Sequence, residues 1–189
     1  MSARPKARRQ PLKATPERLE RSALYYLERY DASSGHLRRL LARKIQVSAR
    51  IHGTDPEVGQ AAVERLIERL TAAGVLDDAR YARARVRGLL ARDTSAAMIR
   101  ARLRAKSVPA DLIDDALAEA AGADPGHELA AALRYAQRRR LGPFRLHERA
   151  ERRDRDLAVL GRQGFSYEIA RRVIDCDDPA ALQAEIGDR

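Results

Sequence analysis

Leu37-Arg38-Arg39-Leu40-Leu41-Ala42-Arg43-Lys44-Ile45 and Ile99-Arg100-Ala101-Arg102-Leu103-Arg104-Ala105-Lys106-Ser107 are one phrase written twice, an aliphatic residue and Arg, then Leu, then Lys, at fixed spacing. Aliphatic residues at i and i+4 fall on one face of a helix. A weaker third copy, Leu160-x-x-Gln163-Gly164, keeps only the end of the phrase. The copies are 62 (107 − 45) and 57 (164 − 107) residues apart. Such periods are too long for the common solenoid repeats and long enough for a three-helix module.

Outward from each copy the chain reads as two further helices. Thr15-Pro16-Glu17 has the form of a helix start, and Leu19, Ala23, Tyr26, Leu27 and Tyr30 follow on one face. Asp31 to Gly35 breaks that helix, and Ser33 or Ser34 caps the next, with Leu37, Leu40 and Leu41 inward. A polar link from Gln46 to Pro56 leads to a third helix with Val63, Leu66, Ile67 and Leu70 inward and Gly74 as its stop. In the second round Asp77 or Asp78 caps a helix carrying Ala82, Val86, Leu89 and Leu90. Asp93-Thr94-Ser95 restarts the chain toward Ile99 and Leu103, and Pro109 opens a helix with Ile113, Ala116, Leu117 and Ala120. In the third, after Pro125-Gly126, come Leu129, Ala132, Leu133 and Ala136, a stop at Gly142-Pro143, a helix with Leu157 and Leu160, and a last one capped by Ser166. The pattern predicts an all-α chain of three tandem three-helix repeats, 16–75, 76–123 and 124–176. A disordered basic arm (1–15) precedes them, and an acidic tail (177–189), expected to fray, follows. Modules this small lean on their neighbours, so an elongated, curved arrangement is expected.

Composition agrees. Of 189 residues 44% are hydrophobic, yet only 4% are aromatic and none is Trp, so Leu, Ala, Val and Ile must make the core. Four of the 37 basic residues are lysines (Lys6, Lys13, Lys44, Lys106), leaving 33 arginines. GC-rich coding accounts for arginine replacing lysine but not for a net charge of +10, which suits a polyanion or an acidic protein surface. The single cysteine, Cys176, excludes a disulfide framework within the chain and reads as a small hydrophobe near a helix end. No apolar run approaches the roughly 20 residues of a membrane span, and the charged N-terminus lacks the apolar stretch of a secretory signal. A cytoplasmic protein without membrane contact is expected.

The charge is uneven. From Ala79 to Lys106 there are nine basic residues and one acid, Asp93. Arg80, Arg83 and Arg87 share a face off the apolar stripe, as do Arg100 with Arg104 and Arg102 with Lys106. Like charges at these spacings destabilise an isolated helix. A merely solvated face mixes signs, as Glu64, Arg65, Glu68 and Arg69 do. Arg80, Arg83, Arg87, Arg100, Arg102, Arg104 and Lys106 are therefore candidate contacts to a protein or nucleic-acid partner, with Arg38, Arg39, Arg43 and Lys44 of the first copy. A second basic run contributes Arg138, Arg139 and Arg140; beyond it Arg145, Arg149, Arg152, Arg153 and Arg155 alternate with Glu148, Glu151 and Asp154, which can pair locally. The planar guanidinium fork suits phosphate and carboxylate alike.

Nothing nominates a catalytic residue, a metal site or a cofactor. His36, His52, His127 and His147 form no metal-binding unit, and no Gly-rich phosphate loop is present. Asp77-Asp78 stands where a helix cap belongs; a nuclease built on this pair would require divalent-metal-dependent cleavage.

Three pieces carry a resemblance: Ala23-Leu24-x-x-Leu27-x-x-Tyr30 with Leu37-Arg38-x-x-Leu41-x-x-Lys44; Leu76-Asp77-Asp78-x-x-Tyr81-Ala82; and Gly164-Phe165-Ser166-Tyr167-x-Ile169. In this order and spacing, over about residues 18–175, the chain resembles the RecX family of bacterial regulators of the RecA recombinase. The resemblance implies tandem three-helix repeats in an elongated, right-handed arrangement. It also implies binding in the groove of the RecA–DNA filament, with inhibition of ATPase, strand exchange and coprotease activity, hence a role in recombination, DNA repair and the SOS response. Partners would be the RecA filament and, weakly and electrostatically, single- and double-stranded DNA, with the protein acting as a monomer. The family has Gly after the Lys of the second helix, where this chain has Ile45 and Ser107, so those helix ends are expected to turn differently. The competing reading is a stand-alone helix-turn-helix module. There Gly164-Phe165-Ser166 makes the turn and Tyr167, Arg171 and Arg172 approach a DNA groove; Glu168, Asp175, Asp177 and Asp178 oppose it.

Overall fold

The structure, a computed structural model, describes residues 11–124 and 126–187, and among these every regular element is helical. The first ten residues of the expected basic arm lie outside the described residues. The chain forms two compact units, meeting in sequence at Asp77 and Asp78.

The first unit holds α1 (Pro16–Leu27), α2 (Ser34–His52) and α3 (Pro56–Ala72). Leu19 and Ala23 of α1, Leu37, Leu41 and Ile45 of α2, and Val63, Leu66, Ile67 and Leu70 of α3 close one core with Leu76. Ser33 starts α2 by accepting a hydrogen bond from the His36 amide, and Asp55 starts α3 by accepting from Glu57. The polar link expected over 46–56 shrinks to Gly53–Asp55, because α2 continues for two more turns. Ile45 and Ser48 prolong its buried stripe, and the Ser48 hydroxyl is satisfied by the Ala14 amide (2.9 Å) and the Thr54 hydroxyl (2.8 Å). Pro11 to Ala14, expected to be part of the disordered arm, are tied to α2 by that amide bond and by His52 Nε2 donating to the Pro11 carbonyl (2.7 Å).

The second unit holds two triplets: α4 (Asp78–Leu90), α5 (Ala96–Arg104) and α6 (Ala110–Ala123), then α7 (His127–Arg139), α8 (Arg153–Arg162) and α9 (Tyr167–Ile174). A 3-10 turn, Gly142–Phe144, sits between α7 and α8. Each triplet has its own core, one around Ala82, Val86, Ile99, Leu103 and Ile113, the other around Leu133, Ala136, Leu160, Phe165 and Val173. The expected acidic tail does not simply fray. Asp178 accepts from the Ala180 and Ala181 amides and starts α10 (Pro179–Gly187), which packs on α7 and buries Leu182.

A repeated turn joins the helices. At Gly74, Asp93, Ser107, Arg140 and Gly164 one residue adopts positive φ. The next residue's amide bonds back five positions: Val75 to Leu70, Thr94 to Leu89, Val108 to Leu103, Leu141 to Ala136, Phe165 to Leu160. This Schellman arrangement satisfies orphan carbonyls and reverses the chain within a few residues. Ser107 (φ 56°) therefore turns as Gly164 (φ 85°) does, despite lacking a glycine. Only the first repeat departs as expected: Ile45 stays helical against Gly59, and the left-handed position moves to Gly53 (φ 65°).

Left-handed φ costs a non-glycine residue roughly 1–2 kcal/mol, while glycine's extra chain entropy costs roughly 0.5–1 kcal/mol. Ser107→Gly should raise stability by about 0.5–1 kcal/mol. Urea unfolding should show a higher midpoint at an unchanged slope; a lower midpoint would contradict this account of the turn.

Candidate partner interface

The candidate cations divide by what holds them. Arg38 of α2 grips Glu64 of α3 with Nε and Nη2 (2.7 and 2.8 Å). Arg100 of α5 pairs with Asp114 of α6 (2.7 Å), and Arg138 of α7, with Arg134, pairs with Asp93 (2.6 and 2.7 Å). These three are committed within the fold. Their acids lie 26, 14 and 45 residues away in sequence, outside any same-helix spacing. Arg39, Arg80 and Lys106 each have an interaction within the chain. Arg139 lies 5.8 Å over the Tyr135 ring.

Arg43, Lys44, Arg83, Arg87, Arg102, Arg104 and Arg140 remain: all exposed and, among the described residues, without an ion pair. Arg83 and Arg87 share a face of α4 about 100° round the helix from the buried Ala82 and Val86. Arg102 and Arg104, two residues apart, project to different sides of α5. Arg43 and Lys44 face a groove shared with Lys13, Arg18 and Arg21, which the sequence reading did not single out. The signal was faint: Arg18 and Arg21 are interleaved with Glu17 and Glu20.

Four arginines of the third triplet's basic run are committed within the fold. Arg145 forms a two-point pair with Asp156 (2.6 and 2.7 Å), Arg152 pairs with Glu148 (2.9 Å), and Arg153 grips Asp175 with two bonds of 2.7 Å. Arg149 donates to the carbonyls of Ile174 and Cys176. Asp156 is fully buried as the fourth residue of α8, the place Leu37 and Ile99 hold in α2 and α5. Burial pushes its carboxyl up, but Arg145 and the Gly142 amide (2.8 Å) outweigh that and hold it below the usual carboxylate range. Asp93 behaves alike: burial raises it, and Arg138 and Arg134 bring it below its ordinary value.

The two triplets of the second unit are clasped at two points. One is Asp93 with Arg134 and Arg138. The other is Ser95, which caps α5 and donates to the Gln163 carbonyl (2.6 Å). A methyl at Gly164 would come within 2.6 Å of that hydroxyl, so both φ and space require glycine there. At the turn read as helix-turn-helix, Phe165 is buried, Tyr167 and Arg171 are exposed, and Arg172 is held by Glu185 (3.0 Å).

Comparison with known proteins adds to this geometry. Residues 77–117 match the family model described as RecX, second three-helix domain. The chain is 40% identical over 172 residues to "Regulatory protein RecX" of Myxococcus xanthus, covering 88% of this chain and 89% of that protein. It is 30% identical over 158 residues to the protein of the same name from Agrobacterium fabrum, covering 81% and 79%. Among solved structures, RecX from Lactobacillus salivarius aligns with TM-score 0.63 at 16% identity, over 85% of this chain and 94% of that one. A second structure, of regulatory protein RecX, gives 0.62 at 22%, over 85% and 72%. At such identities these two likenesses speak for the fold alone.

Removing one partner of a buried ion pair costs about 3–5 kcal/mol. Arg145→Ala should lose about that much at neutral pH. In the intact protein the depressed Asp156 contributes stability that is fully present above its unfolded pKa of about 3.9 and is lost as pH falls through its lower folded value. In the variant the unpaired carboxyl is raised and is relieved by protonation. Thermal unfolding should show the gap between the two proteins narrowing as pH falls through about 4; a gap constant with pH would contradict the assignment.

Proposed function

The chain belongs to the RecX family of regulatory proteins, and from that premise we propose that it is a negative regulator of RecA which acts by lying along the RecA–DNA filament. The carrying observation is the bare basic face of the second repeat. Arg83 and Arg87 stand exposed on α4 and, among the described residues, neither forms an ion pair, whereas Arg38, Arg100, Arg138, Arg145 and Arg153 each hold an acid of another element or turn. A like-charge pair on a helix costs roughly 0.2–0.5 kcal/mol, and an anionic partner turns that cost into attraction. Guanidinium groups engage either phosphate or carboxylate, so this face suits a filament that offers acidic protein surface beside DNA.

Bridging neighbouring protomers would hinder the motions that accompany ATP turnover. Inhibition of ATPase, strand exchange and coprotease activity would follow without chemistry in this chain. Its own contact with single- or double-stranded DNA would be weak and salt-dependent.

The test is RecA's ATPase on single-stranded DNA. The protein should inhibit at stoichiometric amounts. Arg83→Glu/Arg87→Glu, which alters only exposed side chains, should need roughly tenfold more protein for half inhibition. Absence of inhibition by the unaltered protein would sink the proposal; equal inhibition by the variant would remove this face from it.

A further inference from the structure

The first unit carries a groove of about 940 Å³ between α1, α2 and the segment 11–14. Lys13, Arg18, Arg21, Arg43 and Lys44 line it, and no carboxylate does among the described residues. Its apolar surface comes from Pro11, Leu12, Ala14 and Val47 over the buried Leu19; Leu12 is 72% exposed. The wall formed by 11–14 is built in place. The Ala14 amide bonds to Ser48 (2.9 Å), His52 to the Pro11 carbonyl (2.7 Å), and Arg18 to the Lys13 carbonyl (3.4 Å).

We propose that this groove docks an acidic segment of a partner protein, one whose aspartates or glutamates alternate with aliphatic side chains. Three features select that chemistry. Five cations line the groove with no carboxylate among its described lining residues, which favours an anion there, although Arg21 also borders Glu17, Glu20 and Glu28 on its other side. Leucine, valine and alanine surface, with one leucine held in water, is matched by aliphatic anchors. Single-stranded nucleic acid, the other polyanion, gains its grip by stacking bases on aromatic rings, and no ring lines this groove. The inference goes beyond filament inhibition: it concerns the first repeat, whereas the bare arginine face lies on the second.

The test uses the full chain without RecA, so it fails or succeeds independently of the proposed regulation. Fluorescence anisotropy is measured with a short fluorescein-labelled peptide of aspartate and glutamate with spaced leucines. Saturable binding is expected, weakened roughly tenfold by Arg21→Glu/Lys44→Glu and several-fold by Leu12→Ser, all exposed positions whose variants should keep the unaltered circular dichroism. Arg83→Glu/Arg87→Glu should leave it unchanged. A control peptide with serine in place of leucine should bind at least about fivefold more weakly. Equal binding of the control, or equal loss in the Arg83/Arg87 variant, would reduce the effect to net charge and overturn the docking site. No peptide binding, with labelled oligothymidylate bound and lost on Arg21→Glu/Lys44→Glu, would assign the groove to nucleic acid instead.

Discussion

The left-handed residue that ends one helix and releases the next is the constraint on which the fold rests. Cores here contain almost no aromatic bulk, so their stability comes from many small aliphatic contacts among short helices. Such helices, α5 with nine residues and α9 with eight, are marginal in isolation. They persist because the chain reverses tightly enough to set each against its neighbour. At three of the five turns the residue after the left-handed position is also drawn inward: Val108, Leu141 and Phe165 are buried, and bond the carbonyls of the buried Leu103, Ala136 and Leu160. Those three turns thus satisfy carbonyls, reverse direction and add a core side chain.

Charge is distributed around that framework with a clear division. Acids sit where the backbone changes direction. Asp93 stands in the α4–α5 turn, Asp156 reaches the Gly142 amide, Asp175 ends α9, and Asp178 opens α10. Arginines meet the first three of them, Arg134 and Arg138 at Asp93, Arg145 at Asp156 and Arg153 at Asp175. Among the described residues no acid pairs with Arg83 or Arg87 on α4 and no carboxylate lines the groove of the first unit, so part of the charge excess of the composition surfaces there.

Local chemistry was legible in sequence. Ser166 caps its helix as expected, Ser33 does so of the two serines the sequence offered, Ser95 does so within the expected Asp93–Ser95 restart, and Gly74 and Gly164 mark stops. The repeated phrase aligns correctly at its start, four residues after Ser33 and after Ser95. It misleads at its end, where α2 runs on because Ser48, polar in sequence, spends its hydroxyl inward. Left-handed Asp93, Ser107 and Arg140 were invisible, since nothing in an L-residue announces positive φ. Asp156 was invisible for a different reason: a carboxylate in a core position becomes intelligible only once Arg145 is seen facing it. The same holds for Arg38, Arg100 and Arg138, whose acids arrive through tertiary structure, and for α10, whose acids looked solvated until Asp178 and Glu185 found partners.

The bare face of α4 is inexpensive because stability is vested elsewhere. A glutamate opposite Arg83 or Arg87 would contribute only about 0.2–0.5 kcal/mol. The Asp156–Arg145 pair stands against a loss roughly ten times larger if broken, and the clasp at Ser95, Gly164 and Asp93 involves neither Arg83 nor Arg87. Leaving α4 unneutralised therefore sacrifices little folding free energy while its charges remain exposed to solvent. A partner then meets guanidinium groups that need not first be pulled from an internal acid. For an exposed arginine already held by a carboxylate, as Arg153 is by Asp175, that exchange would cancel most of the gain. The separation of paired, fold-building arginines from unpaired ones is what allows so basic a chain to be both stable and available for binding.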